Sequence, residues 1–251
     1  MKIVLIEPRA TEANVYSMLS MPLLGPVYLG TILKNRGHEV EVYNEDIQVP
    51  DYSNLNADII GISILTSTAK RGYEIAKKFP KDKVIIGGVH ASLSPEEALQ
   101  FAGHIVVGEA EDVIIDLVEG RRTEPIVYGK PLENLDTLPH PDFSLIKGFR
   151  PYSPLLPIST SRGCPFDCSF CSVTKMFGRK YRFRSADNII SEMKSRNAKS
   201  FFFCDDNFTA HPTRTKKLLS LLLKHKLNNW SCQVRCDAAK DKGLLNLMSR
   251  A

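Results

Sequence analysis

Three cysteines crowd into one short stretch, Arg162-Gly163-Cys164-Pro165-Phe166-Asp167-Cys168-Ser169-Phe170-Cys171. Their spacing is C-x3-C-x2-C. Thiolates are soft ligands that suit iron–sulfur clusters, zinc and copper(I). Gly163 and Pro165 favour an irregular loop, which lets successive sulfurs turn inward. A structural zinc site normally closes with four protein ligands. Here the nearest following Cys is Cys204 and the nearest following His is His211. The spacing by itself leaves open a zinc site with a remote fourth ligand, a chance grouping, or a cubane cluster with one iron free for a further ligand.

The elements around that loop read as alternating strands and helices. Ile158 to Ser161 is a strand leading into the cysteines. Ser185 or Asp187 caps a helix through Met193. Ser200 to Cys204 is a strand ending in Asp205-Asp206-Asn207-Phe208. Leu218, Leu219, Leu222 and Leu223 fall on one helical face. Trp230 to Cys236 is a strand ending near Asp237, and Leu244 to Met248 is a third helix. Asp205, Asp206 and Arg235 thus fall at strand ends, where sites on such folds are built.

The first half alternates too. Strands are expected at 2–6, 38–43, 58–65, 83–87 and 104–107, with helices around 28–33, at 68–79 and from Val113. Ser94-Pro95-Glu96-Glu97 reads as a capping box that opens another helix. This alternation predicts a parallel, doubly wound α/β sheet, whose ligands bind beyond the carboxyl ends of the strands. The loops there contain Glu7-Pro8-Arg9, Thr66 and Ser67, Gly87-Gly88-Val89-His90, and Gly108 and Glu109. Seven of the fifteen prolines lie in residues 125–157, too many for a helix or a central strand. The expected organisation is a sheet domain at 1–125, a Pro-rich linker at 126–157, and a second domain at 158–251.

The cysteine spacing, with aromatic Phe170 just before the last Cys, resembles the cluster loop of the radical S-adenosylmethionine (SAM) enzymes. The resemblance implies that Cys164, Cys168 and Cys171 hold a [4Fe-4S] cluster whose fourth iron binds SAM. It implies SAM contacts for Phe170, Asp205, Asp206 and Arg235. Asp205-Asp206-Asn207 stands where that family often has Gly-Gly-Glu. Leu24-Gly25-Pro26, Gly37 and Gly87-Gly88-Val89-His90-Ala91 follow an order that looks like the cobalamin-binding domain placed ahead of many radical SAM enzymes. The cobalamin contacts implied are Thr66, Ser67, Gly87, Gly88, His90, Gly108 and Glu109. One departure is visible: D-x-H-x-x-G, which supplies a cobalt-ligating His in other cobalamin domains, is replaced by Glu7-Pro8-Arg9-Ala10-Thr11. A barrel of eight βα units takes about 250 residues. Three units in residues 158–251 therefore read as the first half of the family's partial (β/α) barrel.

The expected function is that of a cobalamin-dependent radical SAM methyltransferase. The alternatives are a cobalamin-binding radical SAM cyclase or rearrangement enzyme, a tRNA methylthiotransferase-like enzyme, and a truncated cofactor-binding protein without turnover. The methylthiotransferases carry a second cluster on Cys in their front domain, and residues 1–163 contain no Cys. No catalytic side chain beyond the cluster is assigned. A small-molecule substrate and an electron donor such as flavodoxin or ferredoxin are implied. No apolar run approaches the ~20 residues needed to span a bilayer, and a cytoplasmic location is expected. Net charge is +5, with 15 Lys and Arg against 21 Asp and Glu in residues 1–157 and 18 against 7 in the rest. The basic run Lys175, Arg179, Lys180, Arg182, Arg184 reads as a solvated face. Phe177, Tyr181 and Phe183 interleave with it, which raises RNA contact as a minor alternative; nucleic acid is not the expected partner. Cys204, Cys232 and Cys236 read as small buried hydrophobes.

Overall fold

The computed structural model describes residues 1–11, 21–149, 155–196 and 198–251. The chain divides into two units, residues 1–132 with 139–149, and residues 133–138 with 150–251.

In the first unit the elements run β1 (Lys2–Glu7), α1 (Leu24–Asn35), β2 (Glu39–Asn44), β3 (Ile59–Ser63), α2 (Ala69–Ala76), β4 (Val84–Gly87), α3 (Val89–Leu93), α4 (Pro95–Ala98), β5 (His104–Val107), α5 (Ile114–Val118) and β6 (Ile126–Tyr128). The six strands form one sheet in the order β2-β1-β3-β4-β5-β6, and every pair is parallel. Ile3, Val4, Leu5 and Ile6 are all buried. A strand covered on both faces needs a continuous apolar run, which is why β1 does not alternate. One core packs Ile60, Ile62, Val84, Ile86 and Ile105 against Tyr73, Ile75 and Ala76 of α2. Each such aliphatic contributes roughly 1.5–3 kcal/mol on burial. The chain runs outward in opposite directions from β1 and β3, so the topological switch point lies between them.

Two sequence expectations change here. His104–Val107 is not the last strand of this sheet: Ile126–Tyr128 pairs beside it. This β6 lies at the sheet edge, next to Pro125, where a residue lacking N–H costs no ladder bond. Of the expected linker, residues 150–154 lie outside the described residues. The helix expected at Ser94 is also different. Ser94 makes no side-chain cap bond and α4 is one turn long, while α3 has already begun at Val89. Gly88, at φ +97°, turns the chain so sharply off β4 that helix starts at once.

The second unit runs β7 (Leu156–Ile158), β8 (Ser161–Arg162), α6 (Val173–Phe177), β9 (Arg182–Phe183), α7 (Ala186–Ser195), β10 (Phe201–Phe203), α8 (Pro212–His225), β11 (Trp230–Cys232) and α9 (Lys242–Arg250). Strands β7, β10 and β11 make a parallel sheet in the order β11-β10-β7. Ile189, Ile190 and Met193 of α7, and Leu218, Leu219 and Leu222 of α8, are buried, as are Phe203 and Phe208. The rings of Phe203 and Phe208 stack with centres 4.9 Å apart. Ser185, not Asp187, caps α7, its hydroxyl accepting from the Asn188 N–H.

Gly88 admits a sharp test. A Cβ there would stand 2.6 Å from the Ile64 carbonyl oxygen and 2.8 Å from its nitrogen. Both are backbone atoms tied into the sheet edge, with the Ile64 N–H donating to the Gly87 carbonyl and the His90 N–H to the Ile64 carbonyl. Gly88→Ala is expected to lower stability by on the order of 2–3 kcal/mol. Exposed Gly25 in α1 has nothing within 4 Å of its would-be Cβ apart from its chain neighbours, and with Pro26 after it Gly25→Ala should change stability by less than about 1 kcal/mol. Urea midpoints of the two variants check this.

Candidate cluster and cofactor site

The cysteine loop is positioned by a buried acid. β7 stops at Ile158 instead of running straight into the loop. Asp205, at the end of β10 and 1 % exposed, takes over. Its carboxyl oxygens accept from the Thr160 N–H at 2.9 Å, the Thr160 hydroxyl at 2.6 Å, the Ser161 N–H at 2.5 Å and the Ser161 hydroxyl at 2.8 Å. Four donors around one carboxyl leave it well satisfied in the interior. Asp205, expected from the sequence to contact SAM, has both oxygens engaged by this turn. Arg214 Nη2 donates to the Thr160 carbonyl at 2.9 Å and fixes the same turn from α8. The sign in the sequence was the hydroxyl run Ser159-Thr160-Ser161 directly ahead of the cysteines.

Beyond that brace, β8 and β9 pair antiparallel and frame the loop. Gly163 has φ +83°, and a Cβ there would lie 2.5 Å from the Lys180 carbonyl oxygen, so the loop crosses the returning chain too closely for any side chain. The Cys171 N–H donates to the Cys168 carbonyl at 3.0 Å. Cys164, Cys168 and Cys171 are free thiols and half-buried. Among the described residues no three His, Cys, Asp or Glu side chains are grouped as the ligands of one metal ion. A cubane cluster puts each thiolate on a different iron. Three soft donors within eight residues, free of disulfides and half-buried, fit such a group. Phe170 is 91 % exposed beside Cys171. Arg235 Nη1 lies 3.4 Å from Cys168 Sγ. Partial desolvation would lower the Arg235 pKa, but the Asp237 carboxylate and the Cys168 sulfur outweigh it and hold the pKa above its ordinary value.

Asp206 differs from its neighbour. Its side chain reaches the surface, yet the surrounding protein and the charge of Asp205 push its carboxyl up to about 6. Cys204 and Cys232 stand apart from the loop's chemistry. Burial, then the charge of Asp205, raises both thiols, Cys232 to about 12; Cys236 is exposed, against expectation, on the loop beyond β11. The basic run divides: Lys175, Arg179 and Lys180 are exposed, as a solvated face requires, and the last two arginines are not. Arg182 and Arg184 are buried, and Arg184 pairs at 2.5 Å with Glu192, which is 0 % exposed and also pairs with Arg196. Arg179 pairs with Asp167 and Lys180 with Glu133. Much of the positive charge serves the fold.

In the first unit the loops after β3, β4 and β5 are laced into one edge. His90 Nδ1 meets the Thr66 hydroxyl at 3.2 Å and its Nε2 lies 3.4 Å from Glu97. The Ser92 hydroxyl, which sequence reasoning missed, donates to the Gly88 carbonyl at 2.9 Å and accepts from the Gly108 N–H at 3.0 Å. Thr66, Ser67, Gly87, Gly88, His90 and Gly108 thus share the carboxyl edge of the sheet. Glu109 is buried, and its carboxyl accepts from the Leu132 N–H at 3.0 Å, which ties down the chain after β6. Glu7 ends β1 beside the switch point and accepts from the Leu23 N–H at 3.0 Å. Burial pushes its carboxyl up to about 7, against the bonds from Leu23 and Asn44. Such an edge, open-backboned at its glycines and without an imidazole after β1, fits a large flat cofactor that takes no protein nitrogen from that loop.

Two measurements follow. Asp205→Asn keeps the shape but turns one acceptor into a donor facing other donors. It should destabilise the second unit by on the order of 2–4 kcal/mol in urea unfolding, whereas Asp206→Asn should stay within about 0.5 kcal/mol. Glu7 has a folded value above its ordinary 4.5. Its contribution is fully present below about pH 4.5 and is lost as pH rises towards 7, by on the order of 2–3 kcal/mol. Glu7→Gln should remove that decline from the stability profile of the first unit.

Comparison with known proteins agrees with this arrangement. Residues 17–118 match the B12 binding domain family and residues 158–251 match the Radical SAM superfamily. Bacteriochlorophyllide d C-12(1)-methyltransferase of Chlorobaculum tepidum is 26 % identical over 270 residues, covering 100 % of this chain and 58 % of that protein. The C-8(2)-methyltransferase of the same organism is 32 % identical over 176 residues, covering 66 % and 39 %. The anaerobic magnesium-protoporphyrin IX monomethyl ester cyclase of Rubrivivax gelatinosus is 28 % identical, covering 100 % and 54 %. The chain therefore spans about half the length of the curated relatives it matches. The radical SAM methyltransferase TsrM of Kitasatospora setae, solved with tryptophan and a SAM analogue, shares the fold at TM-score 0.63 and 16 % identity, over 98 % of this chain and 53 % of that one. The two domain matches, in the order the sheet and the cysteine loop occur, place this chain in the radical SAM superfamily, with a B12-binding domain ahead of its radical SAM region.

Proposed function

We propose that this chain works as a cobalamin-dependent radical SAM methyltransferase. The observation that carries the proposal is the C-x3-C-x2-C loop of free thiols, braced by Asp205, in a chain whose other unit is a B12-binding sheet. Cys164, Cys168 and Cys171 hold a [4Fe-4S] cluster. Phe170 offers an exposed apolar ring, and Asp206 a carboxyl group, towards SAM. Thr66, Ser67, Gly87, Gly88, His90 and Gly108 line the cobalamin edge. When bound, these groups supply an electron for SAM cleavage and a carrier for its methyl group. The functional division is the first unit, residues 1–132 with 139–149, for cobalamin, and residues 158–251 for the cluster. A low-potential donor such as flavodoxin or ferredoxin would deliver the electron. No helix among the described residues is long and apolar enough to cross a membrane, and an oxygen-sensitive cluster suits a reducing cytoplasm.

The cyclases that align with the whole chain favour a second reading, ring closure instead of methyl transfer. The bacteriochlorophyllide methyltransferases and the cyclases are, by their names, enzymes of tetrapyrroles. Magnesium chlorins and porphyrins are therefore the first substrates to offer. With SAM labelled in its methyl group, label in the product supports methyl transfer, and an unlabelled ring-closed product supports the second reading. The cluster is tested first. Anaerobic reconstitution should give about four irons and labile sulfide per chain. Changing Cys164, Cys168 and Cys171 together to Ala should abolish both, while Ala at Cys204, Cys232 or Cys236 should leave them unchanged. Stoichiometric zinc without sulfide in the unaltered chain would refute the proposal.

A further inference from the structure

Arg235 lies three residues past β11, and its guanidinium is held on three sides. Nη1 is 3.4 Å from Cys168 Sγ, and Nε is 3.4 Å from Asp237 Oδ2. Cζ stands 4.0 Å from the centre of the Phe166 ring. Phe166 and Cys168 both belong to the cysteine loop, so the side chain is clamped against the segment that carries the thiols. A flat cation on an aromatic face keeps its N–H groups in a fixed plane. Two of its donor positions are already turned to protein partners, one of them a cluster thiol. An arginine waiting for a carboxylate ligand would keep that fork open.

We propose that Arg235 is a redox-tuning residue, donating an N–H to the Cys168 thiolate and thereby raising the reduction potential of the iron–sulfur cluster. This rests on the cluster reading above. The step is a one-electron reduction in which the cluster gains one negative charge and no bond is made or broken. Hydrogen bonds to cluster sulfurs, and positive charge beside them, stabilise the more negative state. Asp237 and Phe166 position the guanidinium; neither meets the thiol.

The test uses the anaerobically reconstituted 251-residue chain, reduced stepwise with dithionite without SAM and followed by electron paramagnetic resonance. Arg235→Met keeps length while removing charge and donors. It should retain about four irons and make reduction about tenfold less favourable, a shift of about 59 mV to more negative potential. Arg235→Lys keeps the charge without the planar fork and should fall between. Phe166→Leu removes the ring beneath the guanidinium and should also lower the potential. An unchanged potential in Arg235→Met overturns the proposal. If that variant holds no iron, unchanged potentials in both Arg235→Lys and Phe166→Leu overturn it. Weaker SAM binding at an unchanged potential would instead assign Arg235 to SAM. Absence of iron and sulfide from the unaltered chain would overturn the cluster reading itself, and this inference with it.

Discussion

One buried carboxyl group organises the second unit. Asp205 gathers two backbone N–H groups and two hydroxyls from Thr160 and Ser161. Removing such a group from water without partners costs several kcal/mol, so its burial is tolerable only because every donor is in place. The consequence is geometric. The chain leaving β7 is seized within two residues and is turned into the β8–β9 hairpin. The cysteine loop then starts from a fixed point. Arg214 adds a second hold on the Thr160 carbonyl, and Gly163 lets the loop cross the chain around Lys180 at backbone distance.

The same economy governs the first unit. A parallel sheet presents the carboxyl ends of all its strands at one edge, and the loops there must be both ordered and open. His90 and Ser92 do the ordering, by joining the loops after β3, β4 and β5. Gly88 keeps backbone close to backbone. At that same edge, just past β2, buried Glu45 takes a bidentate bond from Arg71 and one from Tyr52, so the helix after β3 is tied to the strand on the far side of the switch point.

The charge pattern has a similar explanation. An excess of Lys and Arg over Asp and Glu in the second half invites a reading of surface attraction. Arg182, Arg184, Arg196 and Arg214 are instead turned to carbonyls, a buried glutamate or an aromatic face. Buried arginine tolerates such positions because its planar donors can be satisfied several at a time. The positive charge nearest the chemistry is Arg235, stacked on Phe166 beside Cys168.

Local sequence decided a good deal. Apolar runs fixed five strands of the first sheet within two residues at either end, because a strand buried on both faces cannot hide its composition. The C-x3-C-x2-C spacing located the thiols, because local chain alone can bring three sulfurs to one loop. Tertiary structure decided the rest. Residues 126–128 became a strand only by pairing with β5, and nothing in three residues beside a proline announces that. Asp205 and Asp206 are adjacent acids with equal standing in the sequence, yet one is buried under four donors and the other reaches solvent. Alternation along a strand end sends neighbouring side chains to opposite faces, and which face met Thr160 and Ser161 was set by β7 packing beside β10, a contact between residues about forty-five positions apart.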